Sequence, residues 1–204
     1  MNEALGCVAA ALCGYLLGSV NTALVISRLV FKKDIRREGS GNAGVTNAMR
    51  VMGLRAGAAV IVGDAAKAVA AVALGRALAG DAGGIVGGIA VLAGHAFPLF
   101  FGFRGGKGVM SAAGVMFMWD WKSALAAITL FGVVLLLTRY VSLGSLCAVT
   151  SLPLFAGLVF NRAPYLVITL ACVAAGIIFL HKQNIVRLIK GTENRVSPRK
   201  RQKE

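Results

Sequence analysis

The chain has 204 residues, 57% of them hydrophobic, a formal charge of +14 and a mean hydropathy of +0.76. That hydropathy excludes a soluble globular domain, and the length leaves room for one compact helical bundle and no separate soluble domain. The charge does not denote nucleic-acid binding until its position along the chain is known.

Apolar runs approaching the length needed for a ~30 Å hydrocarbon core recur along the sequence. They predict spans near residues 4–30, 56–75, 83–103, 108–118, 123–138, 143–160 and 164–180. The first run opens Met1-Asn2-Glu3 without a basic leader, and its basic flank follows it, which is unlike a cleaved signal peptide. After it comes a polar loop, GSGNAGVTNAMR (39–50), out of character with its surroundings. Glycine frees successive backbone N–H groups to form anion nests, and Arg50 adds a planar fork of donors. A short helix beginning near Thr46 or Asn47 would put Asn47 and Arg50 one turn apart, its N-terminus facing the glycine turn. A flexible basic loop held to lipid headgroups is the plainer alternative.

The second span carries Asp64 and Lys67, three apart and able to pair; charges within a membrane mark a site, here as a structural support for it. The third ends in Gly94-His95-Ala96-Phe97-Pro98, then Phe103-Arg104-Gly105-Gly106-Lys107-Gly108. Lys107, between glycines at a helix start, points to phosphate binding, whereas Arg104 reads as an interfacial anchor and His95 more as a packing than a catalytic residue. The fourth span has only eleven residues, roughly 16 Å of helix. Omitting it alone would put the basic tail on the opposite side, so it is short or tilted, or two segments fail together and five spans remain. The last span ends in His181-Lys182-Gln183-Asn184-Ile185-Val186-Arg187, where His181 and Asn184 share a helix edge and are poor anchors. Residues 1–190 form one transmembrane domain and 191–204 a basic tail drawn to anionic lipid.

Alternating the connections collects eighteen Lys and Arg on one side and only Arg76, Lys122 and Arg162 on the other. Basic loops stay in the cytoplasm, which places the N-terminus outside, the C-terminus inside and all three polar clusters toward the cytoplasm. The asymmetry accounts for the charge without nucleic acid. Cys7, Cys13, Cys147 and Cys172 fall inside spans without metal-ligand spacing and read as small packing residues. No metal box, paired carboxylate catalyst or Ser/His/Asp order is present, so no metal or cofactor is expected. The fold class is all-α, a polytopic membrane bundle of about seven transmembrane helices. A cytoplasmic phosphate site wrapped by lipid suits a water-soluble phosphorylated substrate meeting a lipidic one. A transporter or channel for phosphorylated solutes, or a non-enzymatic lipid-binding scaffold, would use the same basic mouth. The short outer loops 76–82, 119–122 and 161–163 supply few polar residues for a through-path.

Along almost its full length the chain resembles the bacterial acyl-phosphate:glycerol-3-phosphate acyltransferases, the PlsY family. The resemblance rests on Gly18-Ser19, GSGNAGVTNAMR, Asp64 with Lys67, GHAFPLFFGFRGGKGV (94–109), Thr138-Arg139-Tyr140-Val141-Ser142-Leu143 and HKQNIVRLIKGTE (181–193). Departures are Asn21 where the family usually has proline, Val45 for alanine, Ala68 for glycine and Arg104 for lysine. The resemblance implies a seven-helix enzyme of the bacterial inner membrane with its site facing the cytoplasm. It would transfer a fatty acyl group from acyl phosphate to the sn-1 hydroxyl of glycerol 3-phosphate, giving lysophosphatidic acid and phosphate, at the entry to phospholipid synthesis. Ser40, Gly41, Asn42, Thr46, Asn47, Gly105, Gly106 and Ser142 would then hold substrate phosphate. Arg50 and Lys107 would neutralise charge, and His181 and Asn184 would orient the acceptor or polarise its hydroxyl. Asp64, Lys67 and Glu193 would support the site.

Overall fold

A computed structural model describes residues 2–196, so the part of the expected basic tail from residue 197 onward lies outside the described residues. Among the described residues the secondary structure is helical, without strands. They form two compact units, divided after Trp121.

The first unit begins with α1 (Glu3–Ser19), which Asn2 caps by accepting from the Leu5 amide at 2.8 Å. The helix then breaks at Val20 and restarts as α2 (Thr22–Leu29), with Asn21 as its N-cap. Asn21 Oδ1 accepts from the Leu24 amide at 3.1 Å, and Nδ2 donates to the Ala43 carbonyl at 3.3 Å. Proline, lacking both side-chain groups, could do neither. A polar stretch leads to α3 (Val45–Met52) and then to α4 (Leu54–Ala96). A straight helix through α4 would run ~65 Å, twice a bilayer core. It is not straight: Ala79 and Gly80 leave helical geometry, Gly80 at φ 57°. A Cβ on Gly83 would fall on the Gly75 carbonyl oxygen, and one on Gly75 would fall on that of Gly83. The two arms of α4 therefore fold back against each other, backbone to backbone.

Small residues set the remaining packing of this unit. Gly6, Gly14 and Gly18 of α1 lie against Leu78, Gly87 and Val91, so α1 runs parallel to the second arm of α4. Gly94 touches the Tyr15 carbonyl and Gly18 in return. Lipid tails supply no hydrophobic drive between helices, so this close approach is what dispersion and backbone contact require. The first part of α5 (Val109–Thr138) runs along α4, with Gly114 against Ala65 and Ala68 and Trp119 against Gly88. The indole N–H of Trp119 donates to the Gly84 carbonyl at 3.2 Å. Asp120 then interrupts α5 at φ −153°, ψ 91°.

The second unit contains the rest of α5, α6 (Val141–Leu154), α7 (Pro164–Leu180) and α8 (Lys182–Ile189). Gly144 of α6 packs on Phe131, and Gly157 of the widened turn Phe155–Val159 packs on Val167. Pro164 sits in the first turn of α7, where its missing N–H costs nothing. α8 leaves α7 at 63° through His181.

Four helical stretches are long and apolar enough to cross a membrane: Glu3–Leu29, Leu54–Phe101, Val109–Thr138 and Val141–Val159. The bent pair α7–α8 makes a fifth if counted as one span. The chain is thus a multi-pass helical membrane protein.

Candidate active site

The loop before α3 is held from within by Asn47, which is buried. Its Oδ1 accepts from the Ser40 amide at 2.9 Å, while Nδ2 donates to the carbonyls of Ile35 at 3.2 Å and Glu38 at 3.0 Å. Gly39, at φ 59°, lies so close that any Cβ would strike the Asn47 side chain. The Gly41 amide closes the turn onto Glu38 at 3.0 Å. Asn47 therefore shapes the loop. Around that frame the side chains of Ser40, Asn42, Thr46 and Arg50 have no hydrogen-bond or ionic partner among the described residues. Gly44 caps α3 without a side-chain bond, leaving the first-turn amides of that helix uncapped.

Arg36 ties this loop to the next one. It donates to Asp34 through Nε and Nη2, at 2.9 and 2.7 Å, and through Nη1 to the carbonyls of Phe101 at 2.7 Å and Arg104 at 3.1 Å. The hydrogen bond from Arg36 holds the Asp34 carboxyl well below the usual carboxylate range, against the opposing effect of partial burial. Counted in the sequence only among the eighteen basic residues of one side, Arg36 is a structural clasp; the spacing Asp34-Ile35-Arg36 is the one local trace of that role.

The turn after α4 depends on close approach. The Gly105 amide donates to the Ala96 carbonyl at 3.0 Å and the Gly106 amide to that of His95 at 3.2 Å. A Cβ on Gly105 would meet the His95 carbonyl, and one on Gly106 would meet His95 Nε2 and the Ala43 carbonyl. Lys107 follows, half-buried, then Gly108 at φ 76° and the start of α5. Behind this turn Asp64 and Lys67 pair at 2.8 Å, both buried, with Thr22 donating to Asp64 at 3.0 Å.

In the second unit Glu193 gathers three donors. Its Oε1 accepts from Asn184 at 2.7 Å and Ser142 at 3.0 Å, and its Oε2 from Arg187 at 2.7 Å. Burial works to raise the Glu193 pKa, but the three donors together outweigh it and hold the carboxyl below its ordinary value. His181 is buried, with Nδ1 2.8 Å from the Ile177 carbonyl. A carbonyl only accepts, so Nδ1 carries the proton and Nε2 of the neutral ring is an acceptor. His181 and Asn184 stand one turn apart where α7 bends into α8.

Fold and side chains define a polytopic helical membrane protein with polar loops and a buried histidine at the bend between α7 and α8. The family model for glycerol-3-phosphate acyltransferase matches residues 8–191. The glycerol-3-phosphate acyltransferase of Thermoanaerobacter pseudethanolicus is 40% identical, covering 93% of this chain and 95% of its own length. That of Geobacter sulfurreducens is 41% identical over 89% of this chain and 93% of its own. The crystal structure of the integral membrane acyltransferase PlsY in its glycerol 3-phosphate form superposes with a TM-score of 0.88 at 35% identity, over 94% of this chain and 96% of that one. Its lysophosphatidic acid form gives 0.84 at 34%, over 94% and 95%. The chain belongs to the glycerol-3-phosphate acyltransferase family and is an acyltransferase.

Proposed function

We propose that the protein transfers a fatty acyl group from acyl phosphate to the sn-1 hydroxyl of glycerol 3-phosphate, at the cytoplasmic face of a bacterial inner membrane. The observation that carries this reading is the division of labour in the loop before α3. Asn47, Gly39 and Gly41 are committed to holding it, while Ser40, Asn42, Thr46 and Arg50 present unpaired polar groups at an uncapped helix start. Such an arrangement favours an anion with several acceptor oxygens.

Acyl phosphate is a mixed anhydride with a good leaving group, so no covalent enzyme intermediate is needed. The sn-1 oxygen attacks the acyl carbonyl carbon, the carbon–oxygen bond to phosphate breaks, and inorganic phosphate leaves with lysophosphatidic acid as co-product. Arg50 and Lys107 offset the charge of the phosphates. Asn184, held by Glu193, and His181, through Nε2, orient the attacking hydroxyl; its proton goes to Nε2 or to a substrate phosphate. Counting the arms of α4 and the parts of α5 separately supports a reading of seven spans, and the basic loops support an N-terminus outside.

The test is phosphate release by purified protein given palmitoyl phosphate and glycerol 3-phosphate, with lysophosphatidic acid measured in parallel. Equal yields that disappear in Lys107→Ala support the reading. Phosphate release without acylated product would make the protein a hydrolase or give it another acceptor.

A further inference from the structure

His95, buried at the end of α4, joins a buried ionic cluster to the Gly105–Lys107 turn. Lys67 Nζ is 2.8 Å from Asp64 Oδ1, 3.1 Å from the Val20 carbonyl, 3.3 Å from the Gly18 carbonyl and 3.0 Å from His95 Nδ1. Ser111 Oγ lies 3.4 Å from the same ring nitrogen, and Asp64 Oδ1 stays at 3.6 Å, outside hydrogen-bond reach. An ammonium surrounded by a carboxylate and two carbonyls can only donate. With Lys67 as the donor in the 3.0 Å contact, His95 Nδ1 accepts and the single proton of the neutral ring lies on Nε2. That edge abuts Gly106. The carbonyl of His95 meanwhile accepts from the Gly106 amide. One residue thus holds Gly106 from two directions, and Lys67 fixes the ring that does so.

We propose that His95 is a positioning residue for the Gly105–Lys107 turn, kept as the Nε2-protonated tautomer by Lys67. It sets the backbone from which Lys107 extends. The inference rests on reading that turn as a phosphate site. It also gives the chain's two histidines opposite tautomers, Nε2–H at His95 and Nδ1–H at His181.

Two measurements test it. Nitrogen-15 spectra of histidine-labelled protein in detergent at neutral pH, assigned with His181→Asn, should show an unprotonated Nδ1 at His95. A protonated Nδ1 at His95, alone or as imidazolium, overturns the proposal, and this reading needs no His95 variant to fold. Steady-state kinetics of His95→Phe and Lys67→Met then read the consequence. The KM of one phosphate substrate should rise about tenfold, the same substrate in both variants, with kcat and the other KM within about twofold. The double variant should show little more than either single change. Unchanged KM values with a lower active fraction would mean that the cluster only stabilises the fold, and the proposal fails. Wild-type protein without turnover would instead overturn the acyltransferase reading on which the inference rests.

Discussion

Asn47 and Arg50 lie on neighbouring turns of one eight-residue helix, yet their surroundings assign them different tasks. Asn47 is buried with three hydrogen bonds to the loop; Arg50 is exposed and unpaired among the described residues. Asn47→Ala should therefore lower unfolding stability by about 2–3 kcal/mol, because it leaves buried backbone groups unpaired. Arg50→Ala should leave the thermal midpoint unchanged and lower kcat/KM by about a hundredfold. Thermal unfolding and kinetics on both variants check the contrast, and the reverse pattern would exchange their roles. Asn47, Arg50, Asp64, Lys67, His181 and Asn184 were legible in the sequence because polar groups in so apolar a chain need a reason. Arg36 and Ser111 were not, and Asn21 was visible only as a departure from proline. Their partners lie far along the chain: Ala43 is 22 residues from Asn21 and Arg104 is 68 from Arg36. Composition shows that such residues are polar; only the fold shows what they reach.

Helices in this protein are positioned by what their glycines leave out. A side chain at Gly94 would collide with the Tyr15 carbonyl, and one at Gly18 with that of Val91. Gly94→Val should cost about 1–3 kcal/mol by forcing α1 from α4, read as a lower thermal midpoint in detergent. An unchanged midpoint would mean that the two helices are not in backbone contact. The sequence placed a connection at 76–82, whereas helix persists to residue 78 and resumes at 81, because the left-handed Gly80 reverses the chain in a single step. Glu193 draws α6, α8 and the segment beyond α8 together, and its lowered pKa gives that arrangement a pH dependence. On acidification the unfolded chain binds a proton here before the folded one does. The contribution is therefore complete at neutral pH and fades as pH falls below about 4. Thermal midpoints from pH 3 to pH 7 should fall at the acid end by a larger margin in the wild type than in Glu193→Gln. Equal slopes would remove Glu193 as the titrating group.

On the scale of the whole molecule, charge decides which way the bundle faces. Eighteen basic residues on one set of connections against three on the other would hold the loop before α3, the Gly105–Lys107 turn and α8 in the cytoplasm. The reversal at Gly80 would then lie outside. Asp81 beside it is 86% exposed at its side chain and makes one long ion pair with Arg76, at 3.7 Å, while Lys190 ends α8 on the opposite side of the proposed arrangement. With the four native cysteines replaced by alanine, Asp81→Cys should react with a membrane-impermeant maleimide on intact cells. Lys190→Cys should react only after the cells are opened. Both labels matter, because an acyl acceptor made in the cytoplasm cannot reach loops that face outward. If the pattern inverts, the basic loops face outside, and a cytoplasmic acyltransfer site falls with the orientation, however well its side chains suit phosphate.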